Sequence, residues 1–180
     1  MSETAVLVID VQRGLFEPEP RPFEADAVVA RINALTARAH QEGVPVAFIQ
    51  HETAEGLLAF HSDSWLLESK LNIGVGDALL RKTTPDSFLR TGLADWLAKH
   101  GSRRVVLCGY ASEFCVDTTA RRAAALGFEV VLAADAHTTH DKPHASAAFI
   151  REHHNATLSE ISSFGPRISA EPSSQIDLDP

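Results

Sequence analysis

The decisive stretch of the chain is Arg104-Val105-Val106-Leu107-Cys108-Gly109-Tyr110-Ala111-Ser112-Glu113-Phe114-Cys115-Val116-Asp117-Thr118-Thr119-Ala120-Arg121.

 The apolar run from Arg104 to Cys108 reads as a buried strand. It breaks at Gly109, and a helical pattern begins near Cys115. A cysteine at that junction lies where a strand hands over to a helix N-terminus. The helix dipole and its free N–H groups favour an anion there, and therefore thiolate over thiol. The same N–H groups can hold an oxyanion. Cys115 is thus a candidate nucleophile, whereas Cys108, inside the strand, reads as core filler.

Working outward, Ala5 to Asp10 is another continuous apolar run, this one ending in an acid, as a central parallel strand covered on both faces reads. Arg13 to Pro22 is a proline-bearing loop. A helix is predicted over Ala25 to Gln41, with Gly43 as its cap. Strands follow at Val44–Ile49 and Asp77–Arg81, separated by a long excursion over residues 51–76. A helix over Gly92–His100, the strand and helix around Cys115, a strand at Glu129–Asp135 and a helix at His144–His154 complete the alternation. Thr157–Ile161 is taken as a last strand. The expectation is an α/β fold: three layers, α/β/α, around a mostly parallel, roughly six-stranded Rossmann-like sheet. Residues 1–168 form one domain. Residues 169–180, rich in Pro, Ser and Asp, are expected to be a tail, either mobile or docked on another subunit.

The composition narrows the function. The chain has 180 residues, 44% apolar and 22% charged, with a net charge of −8. That argues against nucleic acid or an anionic membrane as the main partner and favours solubility. No run approaches the roughly 18 apolar residues of a membrane span. Met1 to Thr4 carries no basic leader, and two cysteines without a disulfide pattern suit a reduced, cytoplasmic setting. No Gly-x-Gly-x-x-Gly follows Asp10, which excludes a dinucleotide-binding reading.

In open parallel sheets, chemistry gathers beyond the carboxyl ends of the strands. Asp10, Lys82 and Cys115 fall at three such ends. A thiol, a cation and a carboxylate are the parts needed for covalent acyl transfer: the carboxylate takes the thiol proton, and the cation holds the thiolate at low pKa.

Three segments carry a resemblance. They are Asp10-Val11-Gln12, Arg81 to Phe88 and Gly109 to Arg121, supported by Ala134-Asp135-Ala136. Together they resemble the isochorismatase-like cysteine hydrolase superfamily over residues 5 to 165. The resemblance implies a triad of Asp10, Lys82 and Cys115. It also implies a cis peptide between Tyr110 and Ala111, and an oxyanion hole formed by the N–H groups of Ala111 and Cys115. Gln12, Phe16, His51, Trp65, Tyr110 and Phe114 are candidates for the substrate pocket, with Gln12 also placed to orient Asp10. The nicotinamidase branch places an Asp-x-His pair after the second strand. Here Ile49 stands two residues before His51, so we expect no metal and no cofactor. His137, His140 and His144 follow the fifth strand's end and read as a rim, a helix start or a subunit contact, with the solvated reading as the default. The resemblance implies a hydrolase acting on a small amide or ureido C–N bond. The alternatives are vinyl ether cleavage and a non-catalytic binding protein on the same fold. Relatives of this kind assemble as homo-oligomers, and the same is expected here.

Overall fold

The structure is a computed structural model and describes residues 3–178. The leader reading at Met1–Ser2 and the last two residues of the expected tail lie outside the described residues. In chain order the elements are β1 (Thr4–Ile9), α1 (Arg13–Phe16), α2 (Ala25–Glu42), β2 (Val46–His51), β3 (Ala78–Lys82), α3 (Leu93–His100), β4 (Arg104–Tyr110), α4 (Asp117–Ala125), β5 (Glu129–Thr138), α5 (Ala147–Ser159) and β6 (Ile168–Glu171). The six strands form one parallel sheet in the order β3-β2-β1-β4-β5-β6. Parallel neighbours joined by crossovers require helices on the faces, which is why the central strands are apolar throughout.

Strand alternation divides the core in two. Val6, Val8, Phe48, Val106 and Val131 meet α2 through Val28, Ile32 and Leu35 on one face. Leu7, Ile9, Ile49, Leu107 and Leu132 meet Leu97 of α3, Ala120 of α4 and Leu158 of α5 on the other. Gly43 closes α2 with φ 72°, its N–H reaching the carbonyls of Ala39 and His40, the left-handed cap that glycine permits. Among the described residues no helix is long and apolar enough to cross a membrane.

Two expectations are corrected here. Thr157–Ile161 is not a strand: Thr157 to Ser159 are the last residues of α5, and the sixth strand is Ile168–Glu171. Apolar Ile161 follows that helix, which made the stretch read as extended. Nor are residues 169–178 a free tail. Ser169 to Glu171 complete the sheet, and Ile176 and Leu178 are buried in the α2-side core. The Arg38 guanidinium of α2 donates to the Ser173 and Ile176 carbonyls, and the Ser173 N–H donates to Asp135. Polar composition concealed two well-spaced apolar anchors.

The sheet order reverses between β1 and β4, the switch point at which ligands bind in open α/β sheets. The two strands are pressed together there. Gly109 has φ 113°, and a Cβ at that position would lie 2.1 Å from the Ile9 carbonyl oxygen. β4 and β5 also change register between Leu107 and Gly109. The strand end therefore needs glycine on two independent grounds.

Two stability measurements follow. Gly109→Ala should cost about 3–5 kcal/mol in urea unfolding, from backbone strain and overpacking together; a cost under about 1 kcal/mol would contradict the close approach. Ending the chain after Glu171 removes two buried apolar side chains, Ile176 and Leu178, and should cost about 3 kcal/mol. Unchanged unfolding would mean that residues 172–178 do not belong to the core.

Candidate active site

The three candidate catalytic side chains are presented at or just beyond strand ends. Asp10 follows β1 with φ 51°, a left-handed conformation that aspartate tolerates better than most residues. Its N–H donates to the Ile49 carbonyl while its own carbonyl accepts from the Gln12 N–H, so the chain turns sharply and leaves the strand direction. Lys82 is the last residue of β3, in register with His51 at the end of β2. Cys115 lies beyond β4. The Tyr110–Ala111 peptide bond is cis. The chain then makes one wide turn over Ser112–Val116, in which the Val116 N–H reaches back to the Ala111 carbonyl, before α4 begins at Asp117. Such wide turns recur at functional sites because they displace a side chain from ordinary helical spacing.

The three side chains converge. The Lys82 ammonium donates to Asp10 Oδ2 at 2.7 Å and to Cys115 Sγ at 3.2 Å. It also lies 3.2 Å from the Thr84 carbonyl oxygen and 2.9 Å from His51 Nδ1. Lys82 and Asp10 are both about 2% exposed, and Cys115 is 9% exposed. Asp10 Oδ1 is buried without a hydrogen-bond partner. Among the described residues the Ala111 N–H likewise makes no hydrogen bond.

Electrostatics correct one expectation. Burial, reinforced by the neighbouring Asp10 charge, pushes the Cys115 thiol up to about 12; Lys82 pulls it down by less. At neutral pH the sulfur is a thiol, not the thiolate expected from a helix N-terminus. Cys115 lies ahead of α4 instead of at its first turn, and it shares a dry site with a carboxylate. Cys108 is raised by burial alone. His51 is lowered by desolvation and then by the Lys82 charge, so it is neutral at pH 7.

Ligand atoms of Asp10, His51 and Cys115 lie within 4.8 Å of one another, a donor set of the kind that can hold a metal ion. The Lys82 ammonium, however, is within hydrogen-bond distance of all three residues. A divalent cation among those atoms would meet that positive charge head on, so the residues present do not fit a metal while Lys82 is protonated.

The pocket candidates separate. Phe16 is fully buried and packs edge-on behind Tyr110, with ring centroids 6.0 Å apart, so it supports the site from the core and does not line it. Gln12 is also fully buried. Its side chain exchanges hydrogen bonds with the His51 backbone and donates to the Trp65 carbonyl. It therefore ties the excursion to β2 and does not orient Asp10. Trp65, 9% exposed, stands edge-on to Phe60. His51 is half-buried beside Lys82. The Tyr110 hydroxyl donates to His140 Nδ1, whose ring donates through Nε2 to the Pro20 carbonyl. Phe114 is exposed. It borders a cavity of about 380 Å³ with Glu113, Lys142, Phe149 and Ile150, on which neither Cys115 nor its two partners opens.

The rim reading of the histidines fails at His137. β5 runs three residues beyond its apolar run, and His137 is completely buried beneath the Cys115 turn, bonded to Ser112 and Asn155. The β-branched pair Thr138-Thr139 was the available signal that the strand continues.

The family model for the isochorismatase domain matches residues 4–169. A streptothricin hydrolase of Streptomyces noursei is 39% identical over 142 residues, covering 78% of this chain and 51% of the relative. The chain thus spans about half the length of that relative. A secreted isochorismatase effector, Isc1, of Verticillium dahliae is 30% identical over 170 residues, 93% of this chain and 88% of the relative. A crystal structure of an isochorismatase family protein superposes with a TM-score of 0.86 at 34% identity, covering 95% of this chain and 99% of the other. Domain match, sequence likeness and shared fold agree: this chain belongs to the isochorismatase family.

Proposed function

We propose that the protein is a cysteine-dependent hydrolase that cleaves a small-molecule amide or ureido C–N bond through a thioacyl-enzyme intermediate. The observation that carries this reading is the single ammonium, Lys82, bonded to both Asp10 Oδ2 and Cys115 Sγ, beside a carboxylate oxygen, Asp10 Oδ1, that has no partner. Membership of the isochorismatase family and likeness to a streptothricin hydrolase support hydrolysis.

The high resting pKa of the thiol fits this chemistry. A lone thiolate beside ionised Asp10 would add a second negative charge to a buried site. Transfer of the proton from Cys115 Sγ to Asp10 leaves the net charge of the trio unchanged, because thiol and carboxylate become thiolate and carboxylic acid around the same ammonium. Substrate attack draws the proton across. Sγ bonds to the carbonyl carbon, and the carbonyl oxygen gains the charge. The N–H groups of Ala111 and Cys115 receive that oxyanion, a good donor of this kind being worth about 3 kcal/mol. The intermediate collapses with cleavage of C–N, and Asp10 gives its proton to the departing nitrogen. Water then yields a proton to Asp10 and its oxygen to the thioester carbon. The C–S bond breaks, the acid leaves, and the proton returns to Cys115. Amide plus water becomes acid plus amine, with the enzyme restored.

The direct test is a screen of small primary amides, ureido acids and isochorismate against wild type and Cys115→Ala. The expected result is turnover of an amide or ureido compound that falls about 10³-fold or more in the variant. Turnover that survives in Cys115→Ala would remove the covalent route, and survival with isochorismate alone would favour vinyl ether cleavage.

Asp10→Asn separates the two roles of the carboxylate. Losing its negative charge favours thiolate, so the pH profile of Cys115 alkylation by iodoacetamide should move to lower pH. Losing the proton acceptor should at the same time lower hydrolysis by about 10²–10⁴-fold. An alkylation profile that stays put or moves upward would mean that Asp10 does not act on the sulfur.

A further inference from the structure

The mechanism leaves one buried network unused. Ser112 is the first residue after Ala111, at the start of the wide turn that carries Cys115, and it is fully buried. Its Oγ lies 2.8 Å from His137 Nδ1. His137 Nε2 lies 2.8 Å from Asn155 Oδ1, on α5. Asn155 Nδ2 donates to the Ala134 carbonyl at 2.9 Å.

The direction of every proton in this chain follows from its far end. The Ala134 carbonyl can only accept, so the Asn155 amide is oriented with Nδ2 toward it and Oδ1 toward His137. Oδ1 can only accept, so His137 carries its proton on Nε2. Burial pushes His137 down to about 4, so the ring is neutral at pH 7 and Nδ1 is left as an acceptor. The Ser112 hydroxyl must then donate to it. A hydroxyl committed in this way has one rotamer and one orientation. Satisfied on every atom, a buried polar chain specifies geometry and not only stability.

What it specifies is the turn. Ser112 is bonded through the peptide to Ala111 and stands three residues before Cys115, between the two N–H groups assigned to the oxyanion. The same turn is braced on its other side, where Thr139 donates to Glu113 Oε1 at 2.8 Å and Lys142 pairs with Glu113. The Tyr110 hydroxyl is held by His140. Residues 137–142 thus hold Tyr110, Ser112 and Glu113 through their side chains, and of these contacts the one from Ser112 to His137 is fully buried.

We propose that Ser112 and His137, locked by Asn155, are positioning residues that hold the Ala111 and Cys115 N–H groups at the site where a substrate oxyanion forms. The inference rests on the hydrolase reading above. It adds that the aim of the oxyanion hole is set from β5 and α5, outside the trio of Asp10, Lys82 and Cys115.

The test uses two probes of the same sulfur. Iodoacetamide is attacked with loss of iodide and forms no oxyanion. Acetaldehyde, labelled with ¹³C, adds to Sγ to give a hemithioacetal: C–S forms, the C=O π bond opens, and the thiol proton passes to the new oxygen or stays on Asp10. Only the second reaction uses the hole. Ser112→Ala and His137→Phe should weaken hemithioacetal formation by about ten- to hundred-fold. The iodoacetamide rate should stay within about two-fold and its pH profile should not move, because thiol ionisation is set by the burial of Cys115 and by its neighbours Asp10 and Lys82, which these substitutions leave in place. Ser112→Thr, which restores the hydroxyl, should restore aldehyde binding. Asn155→Ala, remote from the sulfur on α5, should show the same split as Ser112→Ala in weaker form. Aldehyde binding unchanged in Ser112→Ala and Asn155→Ala, or both probes falling together, would overturn the positioning role. A wild-type Cys115 that forms no hemithioacetal and is alkylated no faster than Cys108 would instead overturn the hydrolase reading, and this inference with it.

Discussion

One buried ammonium organises this molecule. Lys82 is about 2% exposed, yet its Nζ is bonded to the Asp10 carboxylate, approaches the Cys115 sulfur, and lies against His51 and the Thr84 carbonyl. Burying a cation is costly unless it is paired and hydrogen-bonded. A buried pair of this kind is weak evidence for stability, because well-packed apolar residues of similar size commonly do as well. Its presence at the switch point of the sheet therefore points to chemistry. The same cation that neutralises Asp10 also opposes a metal among Asp10, His51 and Cys115, which suits the proposed proton transfer around a fixed charge.

The fold meets the geometric demand with backbone features that have little tolerance. Asp10 leaves β1 through a left-handed turn, and Gly109 leaves β4 through a conformation and a close approach that no side chain could share. The wide turn at Ser112–Val116 then delivers Cys115 ahead of α4. Because β1 and β4 are neighbours and β3 lies two strands away, only a long side chain can reach from the third strand end to the other two. Lysine has that reach, and its head needs the acid that awaits it.

Much of this was legible in the sequence. Continuous apolar runs announced parallel strands, and the acid, the cation and the thiol stood at strand ends far apart in the chain. What escaped was whatever lacked an apolar signature. β5 continues through His137 and Thr138 although its hydrophobic run stops at Asp135, so the buried histidine read as a surface residue. The final strand is only Ile168–Glu171, too short to outweigh an apolar Ile161 at the end of a helix. Ile176 and Leu178 are two anchors in a polar segment. Gln12 and Phe16 were correctly near the site but on its inner side, since spacing from Asp10 does not reveal which way a turning chain points. The charge state of Cys115 was misread for a related reason: a local rule about helix ends was outweighed by burial beside a carboxylate brought from another strand.

The central claim is that this trio makes and breaks a bond between carbon and the Cys115 sulfur. It is tested most directly by rapid-quench mass spectrometry of the enzyme during turnover of an amide that it hydrolyses, with the modified peptide sequenced. The account predicts an added mass equal to the acyl half of the substrate, located on Cys115 and lost on further incubation with water. Turnover with no adduct on Cys115 under conditions where its formation outpaces its hydrolysis, or an adduct on another residue, would contradict it.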